Sequence, residues 1–267
     1  EAGASFPSTG PLPAPPLPEI PAMSIARFRP APMLLAVALA LSAGGALAQE
    51  DLSKVNGSVE AEAGKTYRDL STVNGSVRIG DNVKARDVET VNGAIRGGDG
   101  IQVDDIETVN GGITLGARAQ VKSLGTVNGG IRTGTEAVIG GNVESVSGGI
   151  FVDRGSRIDG TVSTVNGAIG VVGTQISGDI KTVNGDITVG SGSQVRGKIV
   201  VDKPSSGWFP VTINRRNPRV IIGPDAVVDG PLEFKREVTL YVHASAKTGA
   251  ISGATAIPYD SARAPQE

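Results

Sequence analysis

The stretch Val73-Asn74-Gly75-Ser76-Val77-Arg78, Ile79-Gly80-Asp81-Asn82-Val83-Lys84, Ala85-Arg86-Asp87-Val88-Glu89-Thr90 decides the fold. It falls into three hexads. Apolar residues open each hexad at 73, 79 and 85, and a second apolar set stands at 77, 83 and 88. Between them lie Gly, Asn and Asp, which tolerate the positive-φ corners of a tight coil. The opening tripeptide Val-Asn-Gly recurs at Val55, Val73, Val91, Val109 and Val127, each 18 residues after the last. It lapses to Val146-Ser147-Gly148 and returns at Val165 and Val183, with steps of 18 or 19. Such a period marks one structural unit stacked on copies of itself.

The pattern predicts an all-β fold: a single-stranded, three-sided parallel β-helix, or β-solenoid, of about 18 residues per coil. Each strand then pairs with its copy one coil on, at about 4.8 Å. Val73, Val91, Val109 and Val127 are expected to form one inward column. Ile95, Ile113, Ile131, Ile150, Ile169 and Ile187 are expected to form another, beginning at Val59 and Val77. A run of hairpins is the competing reading, since Asn-Gly is a strong hairpin signal. Apolar residues three apart at Val88 and Val91 break the alternation that hairpin arms need. A helical solenoid is excluded by the 38 glycines and the missing 3.6 period.

Composition agrees. Aromatic residues are 3% of the 267, so the core must be Val, Ile, Leu and Ala. There is no cysteine, hence no disulfide and no lipid-anchoring cysteine. A net charge of −2 gives no reason to expect nucleic acid as a partner.

Residues 1–22 read as a disordered Pro-rich extension, not native to the folded protein. Met23 opens a signal-peptide pattern over 23–48: Arg27 and Arg29, the apolar run Met33–Leu41, and Ala46-Leu47-Ala48 as the cleavage site. The expected mature chain is exported, periplasmic or extracellular in a bacterium, and lacks a transmembrane anchor. Solenoid repeats are expected over 49–201, an irregular loop excursion over 202–219, terminal coils and a cap over 220–257 with Phe234, Leu240 and Tyr241 as cap residues, and a disordered tail over 258–267.

Two stretches, Val189-Gly-Ser-Gly-Ser-Gln-Val195-Arg-Gly-Lys-Ile199 and Ile222-Gly-Pro-Asp-Ala-Val-Val228-Asp-Gly-Pro-Leu232, carry a family likeness. Over roughly residues 55–251 the chain resembles the bactofilins, bacterial β-helices that polymerise end to end without nucleotide. It is also similar to adhesin-type bacterial β-solenoid repeats. The bactofilin resemblance implies a right-handed helix, a scaffold role and no secretory signal, whereas this chain carries one. The hexads also resemble left-handed acyltransferase helices, whose chemistry needs a catalytic histidine.

This chain has a single histidine, His243, which cannot build a three-histidine zinc site. No nucleophile–base pair is readable, so no enzyme, cofactor or catalytic residue is expected. Four surface features remain. Asn56, Asn74, Asn92, Asn110, Asn128, Asn166 and Asn184 are expected to form a hydrogen-bonded structural ladder. With Thr72, Thr90, Thr108, Thr126, Thr164 and Thr182 they are alternatively a regular array for a periodic polymer such as a cell-envelope polysaccharide. Asp69, Asp87 and Asp105 should stack, and are either weak calcium candidates or a face neutralised by Arg68 and Arg86. Arg78, Arg96 and Arg132 share a column with Thr114, which is a solvated edge or a seat for an anionic polymer. Trp208, Phe209, Arg215 and Arg216 combine aromatic and cationic groups and either cover the solenoid flank or bind a ligand.

The functional expectation is an exported scaffold, associating with itself end to end. The alternatives are a module that binds glycan through the Thr/Asn ladder or the Trp208 loop, and a polysaccharide-acting β-helix enzyme built on the Asp column.

Overall fold

A computed structural model describes residues 50–204, 216–262 and 264, all within one contact unit, Gly44–Glu267. The extension, the signal-peptide pattern and residues 205–215 lie outside the described residues, and with them Trp208, Phe209 and Arg215. The described chain is an all-β parallel solenoid of about eleven turns. Eleven short strands, beginning with Val59–Ala61 and Val77–Ile79 and ending with Ala256–Tyr259, form one parallel sheet. The rest of each turn contributes to a 17-stranded sheet. Early turns add one long strand, such as Lys84–Asn92. Later turns split it in two, as at Val138–Ile139 and Val143–Ser147.

Pairing is in register, residue type on residue type. Val77 pairs with Ile95, Ile95 with Ile113, and Ile131 with Ile150. The column from Val59 through Ile187 is buried throughout, as the repeat predicts. Each such side chain removed from water contributes about 1.5–3 kcal/mol. Leu70, Val88, Ile106 and Leu124 form a second buried column on the other sheet.

The tripeptide valine departs from expectation. Along Lys84–Asn92, Val88 and Thr90 are buried while Glu89 and Val91 are only half-buried. Strand alternation, fixed by Val88, sends Thr90 inward and Val91 outward. The same holds for Val73, Val109 and Val127, and Val55 is 44% exposed. The core rung is therefore threonine. Its hydroxyl is tolerated because it donates to a carbonyl inside the turn: Thr72 to Gly57 O, Thr90 to Gly75 O, and Thr108 to Gly93 O, at 2.9–3.0 Å.

Gly57, in the first tripeptide, has a positive φ of 103°, but from Gly75 to Gly129 the tripeptide glycine is needed for a different reason. A Cβ on Gly93 would sit 1.9 Å from the carbonyl oxygen of Gly75 one turn back, and one on Gly111 1.9 Å from that of Gly93. Close stacking, not backbone handedness, selects glycine there. Apart from Gly57 and Gly253, the positive-φ residues lie at another corner, at Gly64, Asn82, Gly100, Arg118, Glu136, Gly155, Gly173, Gly192 and Asp225. Arg118 and Glu136 hold φ of 56° and 60° there despite their side chains.

The next described strand after Ile199–Val201 is Arg219–Ile222, where Ile187 pairs with Val220. Phe234, Leu240 and Tyr241 are buried in the terminal turns. Strand Ala256–Tyr259 runs beyond the boundary expected at 257, and Tyr259 is buried with its hydroxyl donating to Ile222 O at 3.2 Å. Tyr67 plays the matching part near the other end, where its hydroxyl accepts the Glu62 amide at 3.0 Å.

Candidate functional site: the ladders and charged columns of the outer surface

The asparagine ladder forms as the spacing predicts. Asn74 Nδ2 donates to Asn56 Oδ1, Asn92 to Asn74, Asn110 to Asn92 and Asn128 to Asn110, all at 2.9–3.0 Å. Ser147 pairs in register with both Asn128 and Asn166 and interrupts it. Asn184 then donates to Asn166 at 3.0 Å. There the ladder ends on a cation, because the Arg236 guanidinium donates to Asn184 Oδ1 at 2.6 Å. The threonines expected beside it on the surface are buried, so the outer array presents amides without hydroxyls.

Asp69, Asp87 and Asp105 stack in register, as expected. Arg86 reaches both Asp69 oxygens, at 2.8 and 3.0 Å, and its Nε donates to Asp87 at 2.9 Å. Arg68 pairs with Asp51 and lies 3.4 Å from Asp69. Ser123 donates to Asp105. The column is laced by its own cations and hydroxyl, and no group of three or more metal-ligating side chains occurs among the described residues.

Two residues further along the same outward face runs a column that sequence reasoning passed over: Glu89, Glu107, Gly125 and Glu144, in successive register. Glu89 and Glu107 make no ion pair or side-chain hydrogen bond among the described residues. Burial, then Asp87 and Asp69, pushes the Glu89 carboxyl above its ordinary value. Burial, then Glu89 and Asp105, does the same to Glu107. The signal was present as Glu-Thr-Val-Asn at 89 and 107. It was missed because Val91 was placed inward, which turns Glu89 away from this face.

On the eleven-stranded sheet the outward column runs Glu60, Arg78, Arg96, Thr114, Arg132 and Phe151. Arg132 lies over the Phe151 ring at 4.7 Å, while Arg78 and Arg96 make no ion pair among the described residues. Of the excursion residues, Arg216 donates to Asp186 Oδ2 at 3.1 Å, and the backbone amide of Arg219 donates to Asp186 Oδ1 at 2.8 Å. His243 Nδ1 is 2.9 Å from the Ser245 hydroxyl, and its ring meets the edge of Tyr259. These are local contacts of the terminal turns.

No protein-family model matches the chain, and no curated protein or solved structure matches it either. Among the described residues no helix is long and apolar enough to cross a membrane. Among the described residues the outer surface offers repeated, ordered polar columns.

Proposed function

We propose that this protein is a non-enzymatic, exported scaffold that associates with itself, built as a three-sided solenoid in the manner of bactofilins and adhesin-type repeats, with the right-handed sense that the bactofilin likeness implies. The observation that supports this is the ladder itself. It is parallel and in register for about eleven turns, and among the described residues its terminal strands pair on one side only. Strand edges of that kind accept another copy's edge at the same spacing. In this reading the Pro-rich extension is not part of the native protein, and the signal peptide is removed on export, before assembly in the periplasm or outside the cell.

Sedimentation and negative-stain microscopy of the purified protein over a wide concentration range test it. Concentration-dependent filaments are expected, and a strict monomer at every concentration would overturn it. A second reading, binding to a cell-envelope polysaccharide, is favoured by the exposed asparagine column, whose regular spacing suits a periodic ligand. Pull-down on isolated cell wall, lost on Asn92→Ala with Asn110→Ala, tests that alternative.

A further inference from the structure

Two outward charged columns carry the same pattern. On the eleven-stranded sheet the order is Arg78, Arg96, Thr114, Arg132: charge, charge, neutral, charge. On the other sheet it is Glu89, Glu107, Gly125, Glu144, the same order with the opposite sign. Each glutamate, or the glycine, lies in the turn that contains its counterpart. Both columns rise by one strand spacing per residue, about 4.8 Å. Arg132 lies over Phe151 and Glu144 accepts from Asn142 Nδ2 at 3.1 Å, but none of these charges has an ion-pair partner among the described residues. Stacked like charges repel within one copy, so each column is an arrangement that an opposite column would relieve.

We infer that the arginine column of one copy docks on the glutamate column of a second copy, with the two solenoid axes parallel and unstaggered. Reversing one axis would set charge, neutral, charge, charge against charge, charge, neutral, charge, and leave two of the four rungs mismatched. The unstaggered arrangement forms three ion pairs, with Thr114 facing Gly125 on the neutral rung.

The flanking residues agree. Two identical coils lying side by side wind in the same sense, so strands on the touching faces run in opposite directions. The residue two before each arginine then faces the residue two after each glutamate. Those pairs are Ser76 with Val91, Ala94 with Val109, Gly112 with Val127 and Gly130 with Val146. A half-buried valine stripe, left facing outward by strand alternation, meets a recess of small residues. Apolar contact thus adds to the ion pairs. The contact is heterologous: each copy keeps one free column of either sign, and association continues past the dimer. This rests on the scaffold reading but specifies a sideways contact, which end-to-end growth does not require.

Charge reversal in the full chain tests it, with assembly followed by sedimentation and microscopy in low salt and each variant's fold checked by its melt. Arg96→Glu and Glu107→Arg should each weaken sideways association about tenfold or more, from like charges now facing one another. The double variant Arg96→Glu/Glu107→Arg restores the pair with its sign exchanged and should return association to near the wild-type level. The mismatched double variant Arg96→Glu/Glu144→Arg should stay weak, since it spoils two rungs. Salt raised toward 1 M should dissolve the wild-type association. Filaments one solenoid wide that ignore all these changes would overturn the sideways contact and leave the scaffold reading standing, whereas a monomeric wild type would overturn both. If Arg96→Glu abolishes binding to polygalacturonate and leaves association untouched, the arginine column serves an anionic polymer instead, and the inference fails.

Discussion

The first turns, from Tyr67 to Thr133, and the later ones, from Ser147 onward, are built from one motif and behave as two materials. In the first, Thr-Val-Asn-Gly repeats unchanged, the asparagine ladder is unbroken from Asn56 to Asn128, and every rung threonine from Thr72 to Thr126 donates to a carbonyl. In the second, the ladder is cut at Ser147 and one long strand becomes two; Thr164 still donates to Gly148 O at 3.0 Å, but Thr182 Oγ1 is buried with no partner among the described residues. Thr90, Thr108 and Thr126, by contrast, each donate to the carbonyl of the glycine 15 residues earlier. Ladder bonds are collective: each rung depends on its neighbours being in place, so one lapse in the motif changes the geometry of the turns around it.

The comparison can be broken most sharply at the stacked glycines. Gly93→Ala places a methyl 1.9 Å from a backbone oxygen that cannot withdraw, and should cost about 3 kcal/mol or more. Gly140→Ala, where nothing lies within 4 Å, should leave the melt near wild type. Melting temperatures decide the matter, and equal shifts would refute the close-stacking account.

The rung threonines come next. Thr108→Val leaves the Gly93 carbonyl without its donor and should cost about 1–3 kcal/mol. Thr182→Val removes a hydroxyl that has no partner and should be neutral or stabilising. Equal losses at both sites would erase the distinction drawn between the two regions.

Smaller effects should follow at the left-handed corner. Arg118→Gly and Glu136→Gly relieve a conformation that costs a side-chain-bearing residue about 1–2 kcal/mol. The added freedom of glycine in the unfolded chain offsets part of this, leaving a gain of about 0.5–1 kcal/mol. Ser147→Asn would rejoin the two ladders and should raise the melting temperature slightly, with a gain of at most about 1 kcal/mol.

The pH dependence should also differ between the regions. Glu89 and Glu107 bind protons more readily folded than unfolded, because burial and neighbouring carboxylates raise them above 4.5. Between the unfolded value and the raised folded one the native state holds more protons, so their contribution to stability falls as pH rises through that window. Glu89→Gln/Glu107→Gln should flatten this fall in dilute monomer, measured by denaturation across pH. A double variant with the wild-type slope would show that other groups govern it.

Much of the fold was legible because period and register are the same fact in a solenoid. Once Val77, Ile95 and Ile113 recur at one spacing, their pairing follows. What was not legible was the facing of a single strand. Val88, Thr90 and Val91 are compatible with either alternation on hydrophobicity alone, and choosing Val91 as the inward residue is the reasonable guess. The deciding term is the carbonyl turned into the core at each Gly corner, which needs a hydroxyl and makes threonine the better core residue. Reversing that choice also reverses the glutamates, which is why the acidic column was missed while the arginine column was seen. The aspartates were read correctly as stacked, because they recur 18 residues apart.

The turns from Tyr67 to Thr133 have a consequence for how such a chain changes over generations. Deleting residues 91–108 would join Thr90 to Val109 and leave every inward position filled by its own kind. Unequal recombination within the gene can therefore lengthen or shorten the array in whole turns at little cost to folding. The outward charges are less forgiving, since the same deletion removes Arg96 and Glu107 together. Both columns lose the same rung and still match each other, yet a shortened copy no longer matches a full-length one. Two alleles differing by one turn would then sort into separate assemblies when mixed, and co-sedimentation of differently labelled copies would reveal whether they do.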